Sequence, residues 1–128
     1  LMGVSVSAGF PSPAEDWAEE RVDLNLRYVQ HAEATFYFTV AGDSMVSPIA
    51  ERSIPDGATL IVDRALNAKH DDIVVAVIDS DFTVKRLYCR NKRLALVAEN
   101  PAYPPIVIGD EQELSIRGVV TAWIVRPR

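Results

Sequence analysis

From Thr35 onward the sequence is a series of short segments rich in aromatic and β-branched residues, separated by residues typical of turns. Seven such segments are predicted to be strands: 35–40, 59–62, 73–78, 82–87, 94–97, 106–108 and 116–125. Turn residues lie between them: Pro55-Asp56-Gly57, Asp79-Ser80-Asp81, Asn91-Lys92, Pro104-Pro105 and Gly109-Asp110. Many short strands with this punctuation predict a mostly β domain built on a folded-over antiparallel sheet.

The residues ahead of the β region are of a different kind. Residues 1–13 are small and apolar and are interrupted by prolines, with no period long enough to fold independently. We expect them to form an extended arm ahead of a body at residues 14–128. One short helix is predicted from about Pro13 to Arg21, since proline suits a first turn and Trp17, Glu20 and Arg21 have helical spacing. Because the chain begins at Leu1, we expect at least an initiator methionine ahead of it.

Charge and cysteine content exclude several classes of function. The formal net charge of −5 argues against a broad electrostatic hold on DNA or on an anionic membrane. No helix-turn-helix pattern is visible, so direct sequence-specific DNA binding is not expected and a DNA-related role would act through protein partners. No apolar run reaches the roughly 18 residues of a membrane span. The single cysteine, Cys89, excludes an internal disulfide and fits the reducing cytoplasm.

Common catalytic patterns are missing. His31, His70 and Cys89 have no paired ligand spacing, so we predict no metal site, and each histidine is interpreted as a surface or turn residue. A Ser-His-Asp triad through Ser44 is formally possible, but Ser44 lacks the G-x-S-x-G elbow. Gly42 is the only glycine near Ser44, and no glycine-rich phosphate-binding fingerprint is present.

The tetrapeptide Gly42-Asp43-Ser44-Met45 follows the first predicted strand. Gly42 permits a turn that a side chain would hinder. Such a turn can aim the Ser44 hydroxyl outward and leave backbone N–H groups available for a tetrahedral oxyanion. On this tetrapeptide alone, a plain loop serine is the favoured interpretation.

Lys85 offers a base for that serine. Strand alternation places Thr83, Lys85 and Leu87 on one face of the predicted strand 82–87. If that face is desolvated, the pKa of Lys85 falls from about 10.4 toward neutrality, and a neutral amine can take a proton from a hydroxyl. The alternative is a lysine that extends from an edge strand into solvent. The local pattern leaves both interpretations open.

Four motifs, in order along the chain, resolve this choice: Gly9-Phe10-Pro11-Ser12-Pro13, Gly42-Asp43-Ser44-Met45, Asp56-Gly57 with Leu60-Ile61-Val62-Asp63, and Phe82-Thr83-Val84-Lys85-Arg86-Leu87. Together they resemble the UmuD branch of the LexA/UmuD family of self-cleaving serine–lysine proteases. Smaller similarities support it: Asp23-Leu24-Asn25, Ala34-Thr35, Asp72-Ile73-Val74 and Gly118-Val119-Val120. The resemblance extends from about Ala8 to Val125.

The resemblance implies a role for each matching residue. Ser44 is implied to be the nucleophile, and Lys85 the neutral general base that later protonates the leaving amine. The backbone amides of Asp43 and Ser44 are implied to be oxyanion donors. The self-cleavage site is implied to be the bond between Ala8 and Gly9, and the reaction needs no cofactor.

The resemblance also implies partners. In this family cleavage is stimulated by RecA filaments on single-stranded DNA, as part of the SOS response. The UmuD branch forms a homodimer, and its processed form is an accessory subunit of an error-prone translesion DNA polymerase. The segment 116–125 is densely apolar, and alternation buries only one of its faces in the core of a single domain. With the resemblance to the UmuD branch, this predicts a two-fold dimer that has part of the segment at its interface and Trp123 as an anchor. The alternative is that one chain covers both faces, with the Trp17 helix on one side and the sheet on the other.

Three departures from the family pattern bear on function. Only eight residues precede Gly9, the segment 46–55 is longer than in UmuD, and Ala8 stands where UmuD has cysteine, although LexA has alanine there. Ala8 does not weaken the assignment. Two other functions stay open: a non-cleaving interaction module of the same fold, and the catalytic domain of a LexA-like or phage repressor without its DNA-binding domain. The Gly-Phe-Pro-Ser-Pro run favours the UmuD branch.

Overall fold

The computed structural model describes residues 23–127 and divides the chain into one unit ending at Gln30 and a second beginning at His31. In the first unit, helix α1 spans Leu24–Tyr28, and the Asp23 carboxylate caps it by accepting a hydrogen bond from the Asn25 amide at 2.9 Å. This helix was not predicted from the sequence, although an aspartate before Leu24 is a recognisable cap signal. The predicted arm and the predicted helix from Pro13 to Arg21 lie outside the described residues.

The second unit is an antiparallel β-sheet. Its strands in the described chain are β1 Thr35–Thr39, β2 Thr59–Asp63, β3 Ile73–Ile78, β4 Asp81–Arg90, β5 Arg93–Val97, β6 Ile106–Val107 and β7 Leu114–Ile124. They pair in the order β1-β2-β7-β3-β4-β5-β6. The predicted mostly β fold is confirmed, and each predicted strand has its counterpart. The largest difference is at β4, which continues three residues beyond the predicted end at Leu87.

Two-residue turns connect the central hairpins. Asp79 and Ser80 join β3 to β4 with φ of 47° and 74°, and Asn91 and Lys92 join β4 to β5 with φ of 53° and 59°. Positive φ at both central residues gives a turn whose twist matches that of the strands on either side. Both turns lie where turn residues were predicted from the sequence, although Asp81 belongs to β4 and not to the turn.

The apolar side chains form two clusters. The first contains Val40, Met45, Ile54, Ala58, Leu60, Val62, Ile73 and Val75, and the second contains Val74, Ala76, Leu87, Leu96 and Val119. Adjacent residues of one strand contribute to different clusters, as Val74 and Val75 do on β3, which is the alternation expected of a sheet covered on both sides.

Strand β7 lies inside the sheet, between β2 and β3. Val119 packs in the second cluster, while Val120 and Trp123 pack against the first. Residues of the described chain therefore cover both faces of this segment around Val119 and Val120. The Trp17 helix, which the alternative placed over one face, lies outside the described residues. The predicted need for an external cover on one face is wrong at these two residues, so their burial does not support a dimer.

Gly118 permits the close contact between β7 and β2. A Cβ atom at this position would lie 2.5 Å from Val62 Cγ1 and 3.2 Å from the backbone oxygen of Asp63. The register of β7 also shifts against Ile61/Val62 on β2 and against Val75/Ala76 on β3. Such bulges bend a strand and increase its twist, which allows the sheet to fold over its core.

Both histidines make contacts within the fold. His31 Nδ1 lies 2.5 Å from Oδ2 of Asp63. Asp63 is buried, with only 3% of the residue exposed. Burial would raise the pKa of Asp63, but hydrogen bonds from His31 and from the Ala65 amide outweigh it and hold that pKa below its ordinary value. His70 Nδ1 accepts a hydrogen bond from the Cys89 amide at 3.0 Å. In the described part of the chain, no helix is long and apolar enough to cross a membrane.

Candidate active site

The turn that carries Ser44 begins directly after β1 and is closed at its base. The Val40 amide donates to the Ala58 carbonyl at 2.9 Å, and the Gly57 amide donates to the Val40 carbonyl at 2.8 Å. Gly42 has φ of 89°, and its amide donates to the Asp56 carboxylate at 2.7 Å. The two motifs identified from sequence, around Gly42 and around Asp56-Gly57, are therefore bonded to each other and fix the start of the turn.

Met45 anchors the other side of the turn. Its side chain is 1% exposed within the first apolar cluster, and its carbonyl accepts a hydrogen bond from the Ile54 amide at 2.8 Å. The Val46 amide donates to the Asp43 carbonyl at 3.0 Å and closes the turn itself. Ser44 is half-buried, so its hydroxyl lies at the boundary between core and solvent.

Lys85 reaches this hydroxyl from β4. Its Nζ atom lies 3.2 Å from Ser44 Oγ, 2.6 Å from Thr83 Oγ1 and 3.2 Å from the Val84 carbonyl oxygen. The contact with Thr83 agrees with the predicted alternation, which places both side chains on one face. Lys85 is 9% exposed, so the alternative of a lysine that extends into solvent is not what the structure shows.

The surroundings of Lys85 favour its neutral form. Burial lowers the pKa of the Lys85 amine, because a charged ammonium loses hydration in this position. Its partners within residues 23–127 are hydroxyl and carbonyl oxygens, with no carboxylate among them to offset the loss of water. A buried amine next to a hydroxyl is the arrangement required of a general base.

A cleft opens beside the two side chains. It has a volume of about 260 Å³, and its walls are mostly apolar: Phe38, Val40, Met45, Val75, Phe82 and Val84, together with Thr39, Ala41, Thr83, Ser44 and Lys85. Phe82, at 64% exposure, extends into solvent beside it. The cleft lies next to β1, which is an edge strand of the sheet. An extended peptide with small or apolar side chains suits a site of this shape.

Comparison with known proteins gives the family. Residues 1–121 match the family described as peptidase S24-like. The chain belongs to the peptidase S24-like family. It is 45% identical to the protein SamA of Salmonella typhimurium over 121 residues, which cover 94% of this chain and 81% of SamA. It is 43% identical to the protein MucA of Escherichia coli over 121 residues, covering 94% of this chain and 80% of MucA. The predicted membership of the LexA/UmuD family is confirmed.

The LexA repressor of Clostridium perfringens is a more distant relative. It is 36% identical over 105 residues, which cover 82% of this chain and 50% of the repressor. The S24-like chain thus matches most of the length of SamA and MucA but only half of this repressor.

The structure brings some of the predicted site residues together. Ser44 and Lys85 meet, although they are 41 positions apart in the chain. The backbone amides of Asp43 and Ser44 have no hydrogen-bond acceptor among the described residues, as the predicted role of oxyanion donor would require. Ala8 and Gly9 lie outside the described residues.

Two residues of this S24-like site, Asn100 and Tyr103 on the turn after β5, were not predicted from the sequence. Asn100 bonds to the backbone of the Ser44 turn, and the exposed Tyr103 hydroxyl donates to the Asp43 carboxylate. That hydrogen bond raises the pKa of Tyr103. The Asn100-Pro101 pair marks a turn in the sequence. Nothing in the local pattern indicates which distant segment this turn contacts.

Proposed function

We propose that this S24-like chain is a self-cleaving serine peptidase that cuts its own Ala8–Gly9 bond, with Ser44 as nucleophile and Lys85 as general base. The observation that carries the proposal is the 3.2 Å contact between the Ser44 hydroxyl and a buried lysine amine. A serine hydroxyl is a weak nucleophile until a neighbouring base removes its proton, and an amine can do so only when it is neutral. Burial lowers the pKa of Lys85 and so favours the neutral amine.

In the first step, Ser44 Oγ attacks the carbonyl carbon of Ala8 while its proton moves to Lys85 Nζ. The tetrahedral intermediate collapses with cleavage of the carbon–nitrogen bond. The proton on Lys85 passes to the departing amine of Gly9, which leaves an ester between Ser44 and Ala8. In the second step, water attacks the ester with Lys85 again as base, and the products are a carboxylate at Ala8, a free amine at Gly9 and a regenerated hydroxyl.

Negative charge develops on the Ala8 carbonyl oxygen in both steps. The amides of Asp43 and Ser44 are candidates to stabilise it, because they lie on the nucleophile's own turn. One such donor is worth roughly 100- to 1000-fold in rate in serine peptidases.

The wider role is proposed from the family resemblance. We infer a cytoplasmic SOS-response protein whose cleavage is stimulated by RecA filaments on single-stranded DNA, and whose processed form is an accessory subunit of an error-prone translesion polymerase. The higher identity to SamA and MucA, at 45% and 43% against 36% for the repressor, favours this role over the catalytic domain of a repressor. The Ser44–Lys85 contact and the lowered pKa of Lys85 favour cleavage over a non-cleaving interaction module.

Incubation with RecA tests the SOS role. We expect RecA filaments on single-stranded DNA to accelerate cleavage at neutral pH, because a filament can favour the arrangement in which the arm occupies the site. The measurement is intact mass over time, and single-stranded DNA without RecA and a Ser44→Ala variant with filament are the controls. Cleavage that is unaffected by filament at any concentration would contradict RecA stimulation.

We also propose a homodimer, on the resemblance to the UmuD branch. Trp123 is half-buried against the first apolar cluster and remains the candidate anchor, with the exposed Val125 beside it. Light scattering at micromolar concentration should give twice the chain mass, and a monomeric mass would contradict the dimer. A Trp123→Ala dimer with an unchanged dissociation constant would place the interface elsewhere.

A further inference from the structure

The turn after β5 holds two consecutive carbonyl groups of the Ser44 turn. The Asn100 side-chain amide donates to the Asp43 carbonyl oxygen at 3.0 Å, and the Asn100 backbone amide donates to the Ser44 carbonyl oxygen at 3.0 Å. A single residue thus contacts the peptide unit on each side of the proposed nucleophile.

The contact with the Asp43 carbonyl fixes the direction of the Ser44 N–H group. The Asp43 carbonyl and the Ser44 N–H belong to the same planar peptide unit and point in opposite directions. A donor that holds the Asp43 oxygen therefore also holds the Ser44 N–H, which is a candidate oxyanion donor. Preorganised donors stabilise developing charge because they do not have to reorient during the reaction.

Asn100 is itself held in place. Its side-chain oxygen accepts a hydrogen bond from the Ala102 amide at 2.9 Å, and its carbonyl accepts one from the Tyr103 amide at 3.1 Å. The Tyr103 hydroxyl then donates to the carboxylate of Asp43, the residue whose carbonyl Asn100 holds. With its oxygen engaged in this way, the side-chain amide of Asn100 can turn only its nitrogen toward Asp43.

Glu99, the preceding residue, ties this turn to the strand of Lys85. Its side chain is 6% exposed, and its carboxylate accepts hydrogen bonds from Arg86 Nε at 2.7 Å and from Arg52 Nη2 at 2.8 Å. Arg86 follows Lys85 on β4, and Arg52 lies on the long segment 46–55. Glu99 therefore contacts β4 next to Lys85, while Asn100 contacts the turn that carries Ser44.

We propose that Asn100 is a positioning residue for the self-cleavage reaction: it orients the Ser44 peptide unit, while the Glu99 ion pairs fix where Asn100 lies. This inference rests on the proposed function. It predicts a loss of catalytic rate that leaves the titration of Lys85 unchanged, because Asn100 contacts the turn and not the amine.

Two variants separate this role from support of the loop. Asn100→Ala removes both side-chain hydrogen bonds. Asn100→Ser retains an oxygen that can accept from the Ala102 amide in a similar turn, but it lacks the amide donor to Asp43. Asn67→Ala and Asn67→Ser are the matched controls, since Asn67 is an exposed asparagine outside the site.

The experiment records the self-cleavage rate against pH by intact mass, the rate at which a fluorophosphonate labels Ser44, and the melting temperature. We expect both Asn100 variants to lower the maximal cleavage rate by about 10- to 100-fold and to slow labelling, while the pH midpoint and the melting temperature stay close to those of the Asn67 controls. An Asn100→Ser variant with wild-type rates would overturn the inference. So would a loss of cleavage rate that is accompanied in both variants by a lowered melting temperature. A wild-type chain that neither cleaves nor labels at Ser44 would overturn the proposed function itself.

Discussion

Replacement of Ser44 by alanine is expected to abolish self-cleavage, with a loss on the order of 10⁶-fold as in other serine peptidases that lose their nucleophile. Without Oγ no ester with Ala8 can form. The fold should be retained, because the half-buried hydroxyl contributes one hydrogen bond among the described residues, to Lys85. Intact mass after prolonged incubation at alkaline pH measures the loss, and the melting temperature checks the fold.

Ser115→Ala is the matched control for this substitution. Ser115 lies on β7 and is exposed, so the same loss of a hydroxyl there should leave the cleavage rate unchanged. A Ser44→Ala variant that still produced a fragment starting at Gly9 would mean that another residue is the nucleophile.

Lys85→Arg is expected to abolish self-cleavage as well, although it retains a long side chain and a positive charge. A guanidinium remains protonated throughout the accessible pH range and cannot accept the Ser44 proton. Lys85→Met should be equally inactive. Its free energy of unfolding should be equal to or greater than that of the wild type, because it removes a buried amine that has no carboxylate partner in the described chain.

Intact mass and urea unfolding measure these two effects. Lys69→Arg, at an exposed lysine, is the control for a change of cation and should leave both quantities unchanged. Near-normal cleavage by Lys85→Arg would show that Lys85 has a structural role and that another base acts on Ser44.

The parts of the fold that were predictable from sequence depend on neighbours in the chain. Alternation and turn residues predicted the strands and the positions of the two tight turns, since Asp79-Ser80 and Asn91-Lys92 carry their conformational preference locally. The short helix at Leu24–Tyr28 was missed because five residues are too few to show a helical period, and only the cap at Asp23 marked it.

The site was predictable only in part for a related reason. The motifs around Ser44 and Lys85 identified the two residues, but the contact between Asn100 and the Ser44 turn joins segments more than 50 positions apart. The role of Glu99 was equally unpredictable from the sequence, since an acidic residue near a predicted strand end is usually exposed to solvent. Its burial between Arg52 and Arg86 depends on how the long segment 46–55 packs.

The pH dependence of self-cleavage in the wild-type chain, followed by intact mass without any partner, tests the central claim most directly. The pKa of Lys85 is lowered by burial, so its neutral fraction grows as pH rises and passes its midpoint below the ordinary lysine value of about 10.4. Well below that pKa the rate should rise about tenfold per pH unit, and the products should end at Ala8 and begin at Gly9. A rate that is flat from neutral to alkaline pH, or cleavage at another bond, would contradict the account.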